Sequence, residues 1–402
     1  MTDFARTKAL FHMPEGVIYL DGNSLGPLPK AAPARMTQAM QDEWGEMLIT
    51  GWNRGGRDGA GWMAQPVSMA DRIGRLIGAE PGHVVLGDTL SIKVYQALAA
   101  ALKMVPERRV ILSDNGNFPS DLYMAEGLIG FLDKGYELRV VAPEEVEEAL
   151  TEEVAVMMIT EVDYRTGRMH DMPHLISKAH QVGALTVWDL AHSAGAVPVD
   201  LSGSNADFAV GCTYKYLNGG PGSPAFIYVA PRHAETAAPA LSGWLGHEAP
   251  FAFDPSYRPG AGIERMRVGT PPVLALAALE CALDIWDMTT MAEIRAASIA
   301  LTDRFIAGIE AACPMLTLAS PRDAGQRGSQ VSFRFADGYA AMQALIARGV
   351  IGDFRAPDIM RFGFTPLYID EGDVDAAVAI IAEVMAQKLW DRPEYRRRSR
   401  VT

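Results

Sequence analysis

Lys215 stands at the end of an apolar run and just ahead of a glycine-rich turn, in Cys212-Thr213-Tyr214-Lys215-Tyr216-Leu217-Asn218-Gly219-Gly220. Phe208 to Cys212 read as a buried strand, so Lys215 is expected at a strand's carboxyl end, where open α/β sheets place their ligands. A lysine desolvated there can lose its charge, and a neutral amine forms imines with carbonyl compounds. Pyridoxal phosphate is the cofactor most often held in this way. The alternative is a lysine snorkelling from a strand end into solvent. Asp189 bears on the choice, because it closes the run Leu185 to Trp188 and falls at the same sheet edge. A buried carboxylate beside the cofactor's ring nitrogen keeps that nitrogen protonated and the ring electron-withdrawing. The other reading of Asp189 is an N-cap ahead of Ala191-His192-Ser193. His192 could lie against the cofactor ring or serve structure alone.

Three further segments suit the same chemistry. Gly87-Asp88-Thr89-Leu90-Ser91 leads from a strand into a helical run, and the Leu90 and Ser91 amides with the Ser91 hydroxyl would cradle a phosphate, unless the serine is an ordinary cap. Asn117-Phe118-Pro119-Ser120-Asp121 lies between a strand and a helix, where Phe118 could stack on a flat ring or pack in the core. Arg361, charged within Ile359-Met360-Arg361-Phe362-Gly363-Phe364, suits bidentate pairing with a carboxylate, either a substrate's or a structural Asp or Glu. All but Arg361 fall at predicted carboxyl ends of strands, and together they make the parts of a pyridoxal phosphate site. A metal centre is not expected. Pro173 interrupts the helical spacing of His170 and His174, His180 lies further on, and Cys212, Cys281 and Cys313 lack ligand spacing.

The elements that must position these residues alternate. Short apolar runs at Val84 to Leu86, Val110 to Leu112, Leu138 to Val141, Val154 to Ile159 and Leu185 to Trp188 are separated by helical patterns, predicting a mostly parallel sheet with helices on both faces. Phe208 to Cys212 and Ala225 to Val229 flank the lysine loop and are expected to pair as a hairpin, giving the sheet one antiparallel member. Gly51 to Gly56 reads as a loop. Helices are expected from Val273 to Met288 and Met291 to Ala311, leading into another lobe in which Val331 to Phe335 alternates as a half-exposed strand.

With 402 residues and 49% hydrophobic content, the chain can bury a large core in two lobes. A net charge of −13 argues against a nucleic-acid-binding surface, and the basic tail Arg396-Arg397-Arg398-Ser399-Arg400 reads as a solvated or partner-contacting end. No apolar stretch reaches bilayer length, the first residues lack the order of a signal peptide, and the few cysteines suit a reducing compartment. A cytoplasmic protein without membrane contact is expected.

Read together, the motifs resemble those of the kynureninases, pyridoxal phosphate enzymes of the fold-type I aminotransferase superfamily. Tyr19 to Gly26, Asn117 to Tyr123, Trp188 to Gly195, Tyr214 to Gly220, Leu241 to His247, Gly269 to Pro272 and Met360 to Tyr368 carry the likeness over nearly the whole chain. Asp21 to Gly26 and Ser242 to His247 are its most specific parts. The resemblance implies an α/β fold with a mostly parallel sheet and a smaller α+β domain: residues 1–50 joining the small domain, 51–285 the large cofactor-binding domain and 286–402 the small domain. It implies that Lys215 carries the cofactor as an imine, Asp189 holds the ring nitrogen and Phe118 stacks on the ring. Pro119, Ser120 and Asp121 belong to the same cofactor-binding stretch, and Leu90, Ser91 and Tyr214 bind phosphate. Trp244 and Thr270 would reach the phosphate from the second subunit of a homodimer. Thr160 and His192 match further cofactor contacts, and Arg361 matches the substrate-carboxylate clamp. Lys93 stands where the family often has asparagine, and Thr270 where some relatives carry asparagine, which leaves the preference between kynurenine and 3-hydroxykynurenine open. The implied reaction is hydrolytic Cβ–Cγ cleavage of L-kynurenine, with Lys215 moving the Cα proton and Tyr214 carrying a later one. Alternatives are a related lyase such as a cysteine desulfurase, which would need a thiolate on a mobile loop of the small lobe, or an idle scaffold that keeps the fold.

Overall fold

Val154–Thr160 is buried at every position and forms an inner strand of the sheet in the computed structural model, which describes residues 1–398. A run apolar on both faces is stable only where both faces are covered. Val156 and Met158 enter one hydrophobic core, and Met157 and Ile159 enter another on the opposite side. The first core takes Val94, Ala97 and Leu98 from the helix Leu90–Met104 and Leu128 from the helix Pro119–Leu132. The second takes Ile73, Ile176 and Leu283 from the helices Gln65–Leu76, Met172–Gln181 and Val273–Trp286.

In chain order the strands are β1 (Ile18–Tyr19), β2 (Val84–Leu86), β3 (Val110–Asp114), β4 (Glu137–Val141), β5 (Val154–Thr160), β6 (Leu185–Asp189), β7 (Phe208–Gly211), β8 (Phe226–Val229), β9 (Thr317–Leu318), β10 (Gln330–Arg334), β11 (Val350–Ile351), β12 (Asp353–Arg355) and β13 (Ile359–Gly363). Seven form the large sheet in the order β2-β8-β7-β6-β5-β3-β4. Only β8 runs against its neighbours, antiparallel to both β2 and β7, so the expected hairpin supplies the one reversed strand. A four-stranded sheet, β12-β13-β10-β9, packs against the helices Met291–Ala312 and Gly338–Ile346.

Two local expectations are corrected. The strand at Val331 is buried from Gln330 to Phe333 rather than half exposed. Its polar alternates face the loop after β5: Ser332 Oγ donates to Arg165 O at 2.5 Å and Gln330 Nε2 to Tyr164 O at 3.0 Å. Alternation here marks a polar contact between two protein layers, which has the same period as a solvent face. Gly51–Arg54 forms one helical turn, closed by the Gly55 N–H on Gly51 O at 2.8 Å, where a loop was expected.

The amino-terminal segment reaches across to the carboxyl-terminal part of the chain and forms a separate two-stranded sheet with it. β1 pairs in parallel with β11, Phe11 meets Tyr368 edge to face at 5.2 Å, and Lys8 Nζ lies 2.6 Å from Asp370. It also touches the lysine turn, where Gly26 donates to Tyr214 O at 2.7 Å. A Cβ at Gly26 would stand 2.5 Å from Asn218 Cα, so only glycine admits this approach. In the basic tail, Arg396 pairs with Asp337 and Asp391, each at 2.8 Å, while Ser399 and Arg400 lie outside the described residues.

Candidate active site

Parallel pairing sets Thr160 at the end of β5 opposite Asp189 at the end of β6. Asp189 Oδ1 accepts the Ala191 N–H at 2.8 Å, so the carboxylate does cap the following turn, and it lines the cavity as well. Desolvation pushes its pKa up to about 6, against the opposing pull of the Lys215 charge and the Ala191 N–H. Asp121, from the first turn of the helix Pro119–Leu132, is buried beside it. Burial, then the Asp189 charge, raise the Asp121 carboxyl well above the usual range. The two carboxyls share one buried space, and burial raises both, so the pair binds a proton more firmly than either would in water.

Lys215 lies in the turn after β7, where Asn218 donates to Lys215 O at 2.9 Å from a left-handed conformation. Its Nζ lies 3.1 Å from His192 Nε2 and 5.9 Å from the centre of the Phe118 ring. Burial, followed by the positive charges of Lys215, Arg361 and Arg355, drives the His192 pKa well below its ordinary value. The imidazole is neutral. Thr160 is buried under the same cavity with its Oγ1 3.3 Å from Val162 O.

The helices Leu90–Met104 and Pro119–Leu132 open after extended Thr89 and Phe118, neither of which caps its helix with a side chain. First-turn N–H groups are thereby left for another acceptor, at the positive ends of two helix dipoles. Ser91 Oγ and Ser120 Oγ meet at 3.0 Å, which shows how closely the two starts converge. Tyr214 lines the same cavity, its hydroxyl held above the usual range by burial first and Cys212 second. Phe118 stays 43% exposed although apolar, braced edge to face by Tyr164 at 5.1 Å. Uncapped helix starts, a buried carboxylate and an open aromatic face meet the needs of a flat, phosphorylated, cationic ring. The residues present therefore fit pyridoxal phosphate.

Arg361 is 1% exposed, and its fork closes on an internal carboxylate: Nε donates to Asp353 Oδ1 at 2.7 Å and Nη2 to Asp353 Oδ2. Nη2 also reaches Ser24 Oγ at 2.8 Å, and Nη1 reaches Tyr164 O at 2.5 Å. Sequence reading missed Asn23, Ser24, Tyr164 and Arg355, which line the cavity with Lys215. Asp353 and Arg355 alternate on one strand just before Arg361, and that paired charge pattern was the available signal.

Trp244 and Thr270 are not brought to this cavity. Trp244 lies in a surface hollow with Trp52 and Phe251, each at 5.8 Å, and Thr270 lines a separate cleft beside Asp88 and Lys93. His170, His174 and His180 each bind a different carboxylate, Asp114 at 2.6 Å, Glu147 at 2.8 Å and Asp207 at 2.8 Å. Cys212, Cys281 and Cys313 are all buried, with burial raising each thiol pKa, and Cys212 falls just past β7 rather than within it. None is placed as an exposed thiolate nucleophile.

Residues 294–381 match the family described as Kynureninase C-terminal domain. The kynureninase of Burkholderia pseudomallei strain 1106a is 53% identical over 399 residues, 98% of this chain and 95% of that protein. The kynureninase of Pseudomonas fluorescens is 51% identical over the same shares. Among solved structures, the apo structure of a cysteine desulfurase from Thermococcus onnurineus superposes with a TM-score of 0.79 at 18% identity, covering 95% of this chain and 98% of that one. A C-DES mutant with glycine covalently linked to its PLP cofactor gives 0.80 at 16% identity, covering 95% of this chain and 100% of that one. At such identities the structural likeness concerns the fold.

Proposed function

The chain belongs to the kynureninase family, and on that footing we propose that it hydrolyses L-kynurenine to anthranilate and L-alanine with pyridoxal phosphate as its cofactor. The observation that carries this reading is the convergence of Lys215, Asp189 and two uncapped helix starts on one cavity. Bound there, the cofactor supplies an electron-withdrawing ring conjugated with the substrate's reacting carbons. The Leu90 and Ser91 amides, Ser91, Ser120 and Tyr214 would hold its phosphate, Asp189 its ring nitrogen and Phe118 its face, with Thr160 and His192 beside it.

Lys215 Nζ is the group that accepts and returns the proton at the substrate's Cα. Neutral His192, at 3.1 Å, accepts a hydrogen bond from that nitrogen and holds it in place for the transfer. Water adds to the γ-carbonyl, the Cβ–Cγ bond breaks, and the new anthranilate carboxyl keeps the water's oxygen. Tyr214, whose phenol burial keeps protonated, donates to Cβ and completes L-alanine. Arg361 sits at the end of the cavity that takes the substrate's carboxylate.

A homodimer accounts for Trp244 and Thr270, which lie outside the cavity of their own chain. Exposed Ile49, Phe251 and Phe253 around the Trp244 hollow support it, since monomers rarely leave so much apolar surface in one place. Residues 51–285 then serve as the large domain, with 286–402 and the first 50 residues as the small one. No helix among the described residues is long and apolar enough to cross a membrane, in keeping with a cytoplasmic enzyme.

The test is to incubate cofactor-loaded protein with L-kynurenine and follow anthranilate fluorescence, with Lys215→Ala as control. Anthranilate from the native chain and none from the variant is expected. A loaded native chain that releases no anthranilate would sink the assignment.

A further inference from the structure

Phe118 offers its ring to the cavity while remaining 43% exposed. A ring so little enclosed has no fixed orientation of its own, yet stacking on a flat cofactor needs one. Tyr164 supplies an enclosing surface: the two rings meet edge to face, with 5.1 Å between centres and 83° between planes. Such contact is directional, because the positive rim of one ring seeks the negative face of the other. Arg165 extends the stack, its guanidinium carbon 5.7 Å from the Tyr164 ring centre. Its Nη2 donates to Asn115 O at 3.1 Å, on the loop that leads into Phe118.

Tyr164 is itself held from a distant part of the chain. It lies in a tight loop between Val162 and Met169, which pair as an isolated antiparallel bridge, and Asp163 Oδ1 accepts the Arg165 and Thr166 N–H groups at 2.6 Å and 2.9 Å. The carbonyls of Asp163, Tyr164, Arg165 and Thr166, consecutive in the chain, all accept from side chains of the four-stranded sheet or of the turn after β9. Gln330 Nε2 reaches the first two at 3.2 Å and 3.0 Å, and Arg361 Nη1 also reaches the second at 2.5 Å. Ser332 Oγ reaches the third at 2.5 Å and Ser320 Oγ the fourth. Gln330, Ser332 and Arg361 are buried, so the loop cannot turn without leaving buried donors unpaired.

We infer that Tyr164 is a positioning residue for the cofactor: its ring fixes the Phe118 ring for stacking, and the four-stranded sheet holds Tyr164 in place. The inference rests on the reading of this cavity as the pyridoxal phosphate site. It gives Phe118 an orientation that its own helix start does not supply, and it makes the cofactor's aromatic support depend on β10 and β13 as well as on the large sheet.

The measurement is equilibrium dialysis of pyridoxal phosphate, with visible circular dichroism of the bound cofactor, in the native chain, Tyr164→Leu, Tyr164→Phe, Phe118→Leu and the Tyr164→Leu, Phe118→Leu double variant. Tyr164→Leu should weaken the cofactor by between about 2-fold and about 10-fold, the range for one aromatic pair, and reduce its dichroic signal at saturation. Tyr164→Phe keeps the ring edge and should stay within about 2-fold of the native chain. In the Phe118→Leu background, Tyr164→Leu should add no further loss, because the two rings act as one unit. The same loss in both backgrounds, no loss from Tyr164→Leu, or an equal loss from Tyr164→Phe would overturn the inference, and a merely structural tyrosine gives the first of these. A native chain that holds the cofactor but releases no anthranilate would end the proposed function and leave Tyr164 to be judged by the same dialysis.

Discussion

Lys215 Nζ and His192 Nε2 stand 3.1 Å apart, on the turns that come after β7 and β6. Because burial and nearby cations keep the imidazole neutral, this pair can share a proton without forming two charges. Replacing His192 by Phe should leave the cofactor's absorbance in place and lower kcat by about 10-fold, the loss of one hydrogen bond that orients the lysine. Steady-state kinetics with a parallel cofactor titration checks it. A weakened cofactor with kcat intact would make His192 a packing residue only.

Glu161 is buried just past β5, and desolvation pushes its carboxyl up to about 7, opposed only by Ser193. An acid whose folded pKa exceeds its unfolded one binds more protons in the folded state. Its stabilisation is therefore lost as pH rises from the unfolded value near 4.5, and the loss levels off above about 7. Glu161→Gln should remove that slope, gaining on the native chain by up to about 3 kcal/mol between about pH 5 and about pH 8. Urea unfolding at both pH values measures the difference, and identical slopes would count against it.

Lys93 ties the phosphate-side loop to its surroundings, with Nζ 2.9 Å from Gln96 Oε1, 3.2 Å from Asp88 Oδ2 and 3.3 Å from Met266 O. Its amine is fully buried, and burial lowers its pKa. Lys93→Ala should destabilise the protein by about 2 kcal/mol, below the usual cost of breaking a buried pair because Asp88 is partly solvated. Cofactor affinity should fall with it, since Asp88 leads directly into Leu90 and Ser91. Thermal unfolding and equilibrium dialysis of the cofactor test the two effects separately.

Thr270 and Lys215 can be tested against each other by mixing subunits. If Thr270 serves the neighbouring site, Lys215→Ala and Thr270→Asp chains should each be inactive alone and regain activity when unfolded and refolded together. One site of each mixed dimer then has an intact lysine and an intact threonine. No recovery from mixed dimers verified by mass would place both residues in the same chain's site.

Much of this molecule was legible before folding was considered. The apolar runs ending in Thr160 and Asp189 declare buried parallel strands, and the turns at the carboxyl ends of such strands share one sheet edge. Lys215, Phe118 and Ser91 could be assigned to that edge from their spacing alone. Arg361 could not, because its partner Asp353 is fixed by antiparallel register and its other neighbour, Ser24, by a contact 337 residues distant in the chain. Val331 to Phe335 misled for a related reason, as period-two polarity does not say whether water or another layer of protein lies opposite.

Residue order thus determined the strands, the turns after them and the reactive groups those turns carry, because hydrophobic periodicity and turn chemistry act over a few neighbours. Tertiary structure alone decided which groups became neutral and which were left with unspent hydrogen bonds. Asp121, His192 and Asp21 owe their shifted titration first to desolvation, and Arg355 keeps a buried Nε without a hydrogen-bond partner. Burial and long-range pairing are properties of the packed chain, and no local pattern encodes them.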